Sequence, residues 1–328
     1  MSRGAPRPLI ATLTPNPALD VSFTVEGVSA GRKLRCHDVR RDPGGGGLNV
    51  ARVIRRLGGR TLAIFPAGGP IGKQLEAMVR AERVPYVAQQ IAGETREDFT
   101  AEDRVNQTEY RFVLPGPRLR RSEANALLEA AAGLTPTPAV LVASGSLPPG
   151  APVTFYGRLA SAARAAGARL ALDTAGAPLE RALAQGVWLV KPNLDELETL
   201  VRHPLPDADA RLAACATLVD SGRCQVVALS MGSQGALLVT ADEAWRAAAP
   251  MISPLSTVGA GDSFMAALVM ALAAGVNAPD ALRRAVAAGS AALMAPGAQL
   301  CRAADVQALE NRIRLEPVSA TRSRPPAA

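Results

Sequence analysis

Short aliphatic runs alternate with helix-length, alanine-rich stretches along most of this chain, and that rhythm restricts the fold more than any other feature. The runs fall at 9–13, 62–65, 139–143, 169–172, 187–190, 226–229 and 236–239. Helical patterns lie between them at 48–57, 71–82, 122–132, 153–166, 195–201 and 208–221, and two more follow at 262–274 and 280–295. The runs are near-continuously apolar rather than apolar on alternate residues. Such strands need cover on both faces, and intervening helices supply it when the strands run parallel. The expectation is an α/β fold built on one parallel sheet.

Two stretches break the rhythm. Residues 21–41 and 87–113 alternate apolar and polar positions without a helical period, most clearly in Thr108-Glu109-Tyr110-Arg111-Phe112-Val113. Half-exposed antiparallel strands of this kind do not enter a parallel core. They are expected to pair in a small separate sheet, as a lid over a site or a dimerisation surface. Residues 316–328, with Pro, Ser, Thr and Arg, read as a disordered tail.

Composition narrows the function. The net charge of +7 suits nucleic acid, an acidic membrane surface or an anionic small molecule. Aromatic residues make up 3% of the chain, which leaves few rings for base stacking and argues against nucleic acid. The basic residues are scattered and read as a solvated surface. No apolar run approaches the roughly 18 residues of a membrane span, so no membrane partner is expected. Cys36, Cys215, Cys224 and Cys301 form no metal-binding or disulfide pattern, which fits a reducing, cytoplasmic setting. His37 and His203 stand apart from any nucleophile or carboxylate pattern and read as ordinary surface residues.

The strongest local signal is Thr257-Val258-Gly259-Ala260-Gly261-Asp262-Ser263, directly before an apolar helix. Small residues bare the backbone where unpaired N–H groups and the helix dipole favour an anion. Asp262 there could take a proton from an attacking hydroxyl, as phosphoryl transfer requires. Asp is also a preferred helix cap, so the residues alone leave both roles open. A second bare segment, Gly44-Gly45-Gly46-Gly47, opens another helix and is followed by Asn49, which offers a donor and an acceptor to hydroxyls. Neither segment matches a P-loop or a dinucleotide fingerprint.

Carboxylates at strand ends form a third group. Asp20 follows the first strand and Asp173 ends the strand at 169–172, where open α/β sheets bind ligands. Asn193 and Glu196, after Lys191, have the spacing of a capping box, which competes with a catalytic role. The segment from Ser230 through Gly232 to Gly235 reads as a turn between strands that lets a nucleotide approach.

Taken together, the glycine segment 44–58 and the Gly259-Ala260-Gly261-Asp262 region resemble the ribokinase/PfkB family of carbohydrate kinases, over about 9–314. The resemblance implies a three-layer α/β/α ribokinase-like sheet with a small β-sheet lid, a catalytic domain over 8–315, and a homodimer formed through the lid. Thr14-Pro15-Asn16-Pro17-Ala18-Leu19-Asp20, Tyr110-Arg111-Phe112-Val113 and Ser144-Gly145-Ser146-Leu147-Pro148-Pro149-Gly150 look like the phosphosugar branch, in particular its 6-phosphofructokinases. The 1-phosphofructokinase and tagatose-6-phosphate kinase branches commonly carry Lys where Gly46 stands.

By position, the resemblance places Asp20, Gly44–Gly47 and Asn49 on sugar hydroxyls, and Arg96, Ser146 and Lys33 on the existing phosphate. It places Lys191, Asn193, Ser230, Gly232, Gly235 and Thr257 along ATP, with Glu196 and Asp173 organising Mg2+ through water. Asp262 becomes the base, and Gly259, Ala260 and Gly261 the anion-stabilising turn. Potassium is an open element of this reading. Relatives carry polar residues where Pro254, Ala295 and Gln299 stand here, and main-chain carbonyls could still hold the ion. Ser29 and Asp195 occupy the places at which some relatives bind a second, inhibitory ATP, which gives such regulation no support.

Overall fold

The computed structural model describes residues 7–256, 258–295 and 299–318. In chain order the first half consists of β1 (Leu9–Leu13), β2 (Ala18–Val25), β3 (Cys36–Gly44), α1 (Gly46–Arg56), β4 (Arg60–Ala67), α2 (Gly69–Ala81), β5 (Tyr86–Gln90), β6 (Arg96–Asp103), β7 (Thr108–Phe112), α3 (Arg121–Ala132) and β8 (Val140–Ser144). There follow α4 (Phe155–Ala165), β9 (Arg169–Asp173), α5 (Gly176–Leu183), β10 (Val187–Val190), α6 (Leu194–Val201), α7 (Ala208–Asp220), β11 (Cys224–Ser230), β12 (Ala236–Val239), β13 (Ala244–Ala247), α8 (Ala260–Ala273), α9 (Ala278–Leu293), α10 (Ala303–Glu310) and β14 (Leu315–Pro317).

Ten strands form one sheet in the order β14-β13-β12-β11-β10-β9-β8-β1-β4-β5. From β11 to β5 all neighbours are parallel, as the apolar runs require. Strands β12, β13 and β14 instead join antiparallel. The connection between β11 and β12 is only 231–235, far short of the dozen or so residues a parallel crossover needs, so the chain turns back as a hairpin.

Alternate residues of each central strand serve opposite faces. Ala11, Leu13, Leu141 and Ala143 pack with Leu127, Phe155, Leu159, Leu179 and Leu218 of α3, α4, α5 and α7. Ile10, Val140 and Val142 pack with Val53, Met265, Leu268, Leu282 and Val306 of α1, α8, α9 and α10. This period of two, with both faces buried, is what makes the strands apolar throughout and the fold three-layered.

A separate four-stranded sheet has the order β3-β2-β6-β7. It takes up most of the two stretches that lack helical period, but not all of them. Residues 87–90, expected in the small sheet, belong to β5 and pair in parallel with β4 at the edge of the large one. Residues 315–317, partly assigned to a disordered tail, form β14 against β13. Residues 319–328 of that tail lie outside the described residues. No helix among the described residues is long and apolar enough to cross a membrane.

Candidate active site

The parallel strands deliver their carboxyl ends to one edge, and four of the expected residues meet there in adjacent register. Ser144 of β8 is aligned with Asp173 of β9. The Lys191 N–H donates to the Leu172 carbonyl, and Asn193 bridges to Ser230 at the end of β11. Lys191 is buried and its Nζ lies 3.2 Å from Asp173 Oδ2. Burial works against the ammonium, but Asp173, helped by Glu196 and Asp262, outweighs it and holds Lys191 above the usual lysine range.

The capping box anticipated at 193–196 is formed. Asn193 Oδ1 accepts from the Glu196 N–H at 2.8 Å, and Glu196 Oε2 accepts from the Asn193 N–H at 2.9 Å. This occupies one oxygen of Glu196 and orients the other. Burial, more than anything else, raises the Glu196 carboxyl above its ordinary range.

Helices α1 and α8 point their N-termini at the same edge. Gly259 caps α8 with φ 75°, and Asp262 sits in the first turn without capping it. The capping role left open for Asp262 is therefore not realised; its Oδ2 instead accepts from Asn49 Nδ2 at 3.0 Å. Burial pushes the Asp262 carboxyl up to about 6, with Asp173 adding to the rise and Asn49, Lys191 and Arg111 opposing it. The side chain remains partly accessible, so desolvation governs its titration while the group stays within reach of a ligand.

The glycine run packs against these carboxylates. A Cβ at Gly44 would lie 2.2 Å from Asp20 Oδ1, and one at Gly46 would lie 2.1 Å from Ser144 Oγ and 3.2 Å from Asp262 Oδ1. At Gly47 it would meet the Leu13 carbonyl at 2.6 Å. Gly45 has φ 105°, which a side chain would strain. The four glycines thus let Asp20, Asp262 and the end of β1 converge on one bare strip of backbone.

Across the small sheet, Gly44, Ala18 and Arg96 share one row, and Asp42, Asp20 and Asp98 share the next but one. Arg96 Nη2 donates to the Asn16 carbonyl at 3.2 Å and pairs with Asp98 at 3.3 Å. Asn16 Nδ2 reaches Ser146 Oγ at 3.5 Å, and Asn16, Arg96 and Ser146 line one open cleft. Burial raises Asp20 to about 7, reinforced by Asp98 and opposed by Arg111, Arg52 and Arg96.

Not every expected residue joins this cluster. Lys33 is exposed between β2 and β3, with no hydrogen bond or ion pair among the described residues. Gly235 is required by the hairpin itself, since a Cβ there would sit 1.9 Å from the Ala247 carbonyl, whereas Gly232 faces open space. Thr257 lies outside the described residues.

Two participants stand inside motifs quoted from the sequence but were given no role there. Ser144 abuts Gly46 and is the last residue of an apolar strand. Arg111 lines a cleft with Asp20, Asp98 and Val258, and its charge opposes the rise of the Asp20, Asp98 and Asp262 carboxyls. The alternation of β7, which puts Glu109 and Arg111 on one face, could have marked it.

Residues 17–305 match the model of the pfkB family carbohydrate kinases. The chain belongs to that family. It is therefore a sugar kinase, with the use of ATP and a metal ion that the family implies. The chain is 42% identical over 301 residues to ATP-dependent 6-phosphofructokinase isozyme 2 of Mycobacterium tuberculosis, covering 92% of this chain and 88% of that one. It is 38% identical to 1-phosphofructokinase of Xanthomonas campestris, over 80% of this chain and 83% of the other. The crystal structure of phosphofructokinase-2 from Escherichia coli in complex with potassium matches with a TM-score of 0.90 and 39% identity, over 93% and 99% of the two chains. That Escherichia coli protein has also been solved with fructose 6-phosphate and as a tetrameric inhibited form, each with a TM-score of 0.88 and 38% identity over 93% and 99%.

Proposed function

We propose that the protein transfers the γ-phosphoryl group of ATP to O1 of fructose 6-phosphate, giving fructose 1,6-bisphosphate and ADP. The observation that carries this reading is the setting of Asp262. One of its oxygens is held by Asn49, and the other faces the bare backbone of Gly46 at the mouth of α8. In the proposed step the O1–H proton passes to Asp262 while O1 bonds to the γ-phosphorus. The bond to the β,γ-bridging oxygen breaks, and its electrons leave with ADP. The N–H groups of Ala260, Gly261 and Asp262, capped by Gly259, stabilise charge on the transferring group.

Asp20, the Gly44–Gly47 backbone and Asn49 hold the sugar hydroxyls. Arg96 and Ser146 hold the 6-phosphate, and Lys33 adds charge from the exposed segment between β2 and β3. Gly44 and Arg96 are two strand spacings apart in one row, about 10 Å, which suits a sugar lying between the glycines and its own phosphate. Lys191, Asn193, Ser230, Gly232 and Gly235 line the nucleotide.

Among the described residues no cluster of three or more His, Cys, Asp or Glu could cage a metal. The donor set nevertheless fits Mg2+ held mainly by phosphates and water. Glu196 offers the oxygen its cap leaves free, while Asp173 is already paired with Lys191. Bound magnesium would neutralise charge on the phosphates. Potassium belongs to the same reading: the Leu255 and Ser256 N–H groups both approach the Leu293 carbonyl, bringing the segments of Pro254 and Ala295 alongside each other. Val39, Val105, Tyr110 and Phe112 are exposed on or beside the small sheet, and pairing of two copies through it is part of the proposal. Four free thiols, three of them buried, suit a cytoplasmic enzyme.

A 1-phosphofructokinase or tagatose-6-phosphate kinase is the nearest rival. A side chain at position 46, where those branches carry Lys, would collide here with Ser144. A non-catalytic phosphosugar-binding protein would need no carboxylate kept partly desolvated beside a bare phosphate cradle. An ADP-release assay with fructose 6-phosphate, tagatose 6-phosphate and fructose 1-phosphate, each with and without potassium, decides among these. In the same assay Asp262→Asn should lose about a hundredfold or more in kcat with little change in KM. Turnover at the wild-type rate would refute the base.

A further inference from the structure

Arg52 has no solvent-exposed side chain, yet it is an arginine in the middle of α1. Its Nε donates to both oxygens of Glu82, at 3.0 and 2.9 Å, and its Nη2 to Glu82 Oε1 at 2.6 Å. Nη2 also lies 3.7 Å from Asp42. The remaining nitrogen, Nη1, donates to the Pro43 carbonyl at 2.8 Å and to Asn49 Oδ1 at 3.0 Å. Replacing a buried ion pair by packed apolar groups is often neutral or stabilising, so stability alone does not explain this residue.

The far end of the network does. A guanidinium can only donate, so it accepts just one orientation of the Asn49 amide, with Oδ1 toward Arg52. The Asn49 NH2 group must then face the other way, and there it donates to Asp262 Oδ2. The second oxygen of Asp262 is left over the Gly46 backbone. Asn49 and Arg52 are three apart on α1, so one helical turn spans the step.

We propose that Arg52, clamped by Glu82, is a positioning residue. It locks the Asn49 amide so that its N–H holds one oxygen of Asp262 and reserves the other to receive the substrate proton. This rests on Asp262 being the base. Asp262 is faced by Asn49 from α1, Asp173 from the end of β9, Lys191 after β10 and Arg111 from β7. Arg52 is faced by Glu82, Asp42 and Asn49, acts through its charge on Asp20, and has Arg56 on the outer side of Glu82 at 3.6 Å. Of these connections only Asn49 joins the two groups directly.

The full-length enzyme would be assayed with fructose 6-phosphate and MgATP from about pH 5 to about pH 9. Arg52→Lys keeps the charge but loses the rigid fork that serves Glu82 and Asn49 at once. Freed from Arg52, the amide no longer holds its N–H on the carboxylate, so the ionised base loses a stabilising donor. The acid limb of kcat at saturating fructose 6-phosphate, where the effect of Asp20 on KM drops out, should move up by about one pH unit, with most of the rate recovered at high pH. Glu82→Gln should shift the limb in the same direction and carries the test if Arg52→Lys does not fold by circular dichroism. Arg56→Lys, which touches Glu82 but not Asn49, should leave the profile in place. A folded Arg52→Lys or Glu82→Gln enzyme with an unmoved limb overturns the proposal, as does an equal shift in Arg56→Lys. Wild-type turnover in Asp262→Asn would overturn the base assignment instead, which keeps the two failures apart.

Discussion

Lys191 Nζ and Asp173 Oδ2 meet at 3.2 Å where β9 and β10 end, in surroundings that leave the lysine side chain only 6% exposed. The pair holds a cation and an anion side by side under the start of α8. Removing one partner leaves the other buried and uncompensated. Lys191→Met should therefore cost about 3 kcal/mol of stability, read as a lower denaturant midpoint at unchanged m-value. Asp262 should titrate higher in that variant, because Lys191 now lowers it. An acid limb of activity that stays in place would show that Lys191 does not act on the proposed base.

The contact of Gly46 with Ser144 and Asp262 separates packing from chemistry. In Gly46→Ala the new methyl meets Ser144 Oγ at 2.1 Å and Asp262 Oδ1 at 3.2 Å. Overpacking of this kind typically costs about 1–3 kcal/mol. Adding Ser144→Gly should relieve the first clash and restore most of the thermal stability. It leaves the methyl against the oxygen proposed to take the proton, so kcat should stay low. Recovery of both properties in the double variant would mean that the surface over Gly46 is not where the hydroxyl approaches.

The layered core was legible because its signal is local. Runs such as 139–143 are apolar at every position, and only a strand buried on both faces requires that. The edge strands carried no such mark: Ala244–Ala247 includes Trp245 and Arg246, and Leu315–Pro317 is three residues long. Residues 87–90 read as small-sheet material because β5 is the last strand of the large sheet and none of its positions is fully buried. In the site, Asp262 and the glycines announced themselves by composition next to a helix start. Arg52, Ser144 and Arg111 did not, since each owes its place to a partner at least 30 residues away, such as Glu82 for Arg52, Gly46 for Ser144 and Asp262 for Arg111.

Arg96 Nη2 donates to the Asn16 carbonyl and pairs with Asp98, while its Nη1 donates to the Leu114 carbonyl, which anchors the side chain at the cleft where it is proposed to hold the sugar's phosphate. Its fork can bind two phosphate oxygens at once. Arg96→Ala should raise KM for fructose 6-phosphate by about tenfold or more with a smaller effect on kcat, and should narrow the preference over unphosphorylated fructose. Steady-state kinetics with both sugars measures this directly. Discrimination that survives intact would place the phosphate elsewhere.

Asp20 ties stability to binding through a single proton. Its carboxyl rises from 3.8 to about 7 in the folded protein, chiefly through burial, with Asp98 beside it. Between those two values the folded chain holds a proton that the unfolded chain has released. Stability from this group is thus present below the lower value and is lost as the pH rises through the higher one. Asp20→Asn removes the penalty, so the ligand-free variant should be more stable than wild type by at least about 1 kcal/mol at pH 8, allowing for partial solvation. The difference should vanish near pH 4. The same ionised carboxylate is the proposed acceptor for sugar hydroxyls, so the variant should bind fructose 6-phosphate more weakly, and wild-type KM should climb as the pH falls below about 7. Melting curves at the two pH values, set beside KM over the same range, test both halves. A variant that is no more stable at pH 8 would show that Asp20 is not held protonated by its surroundings.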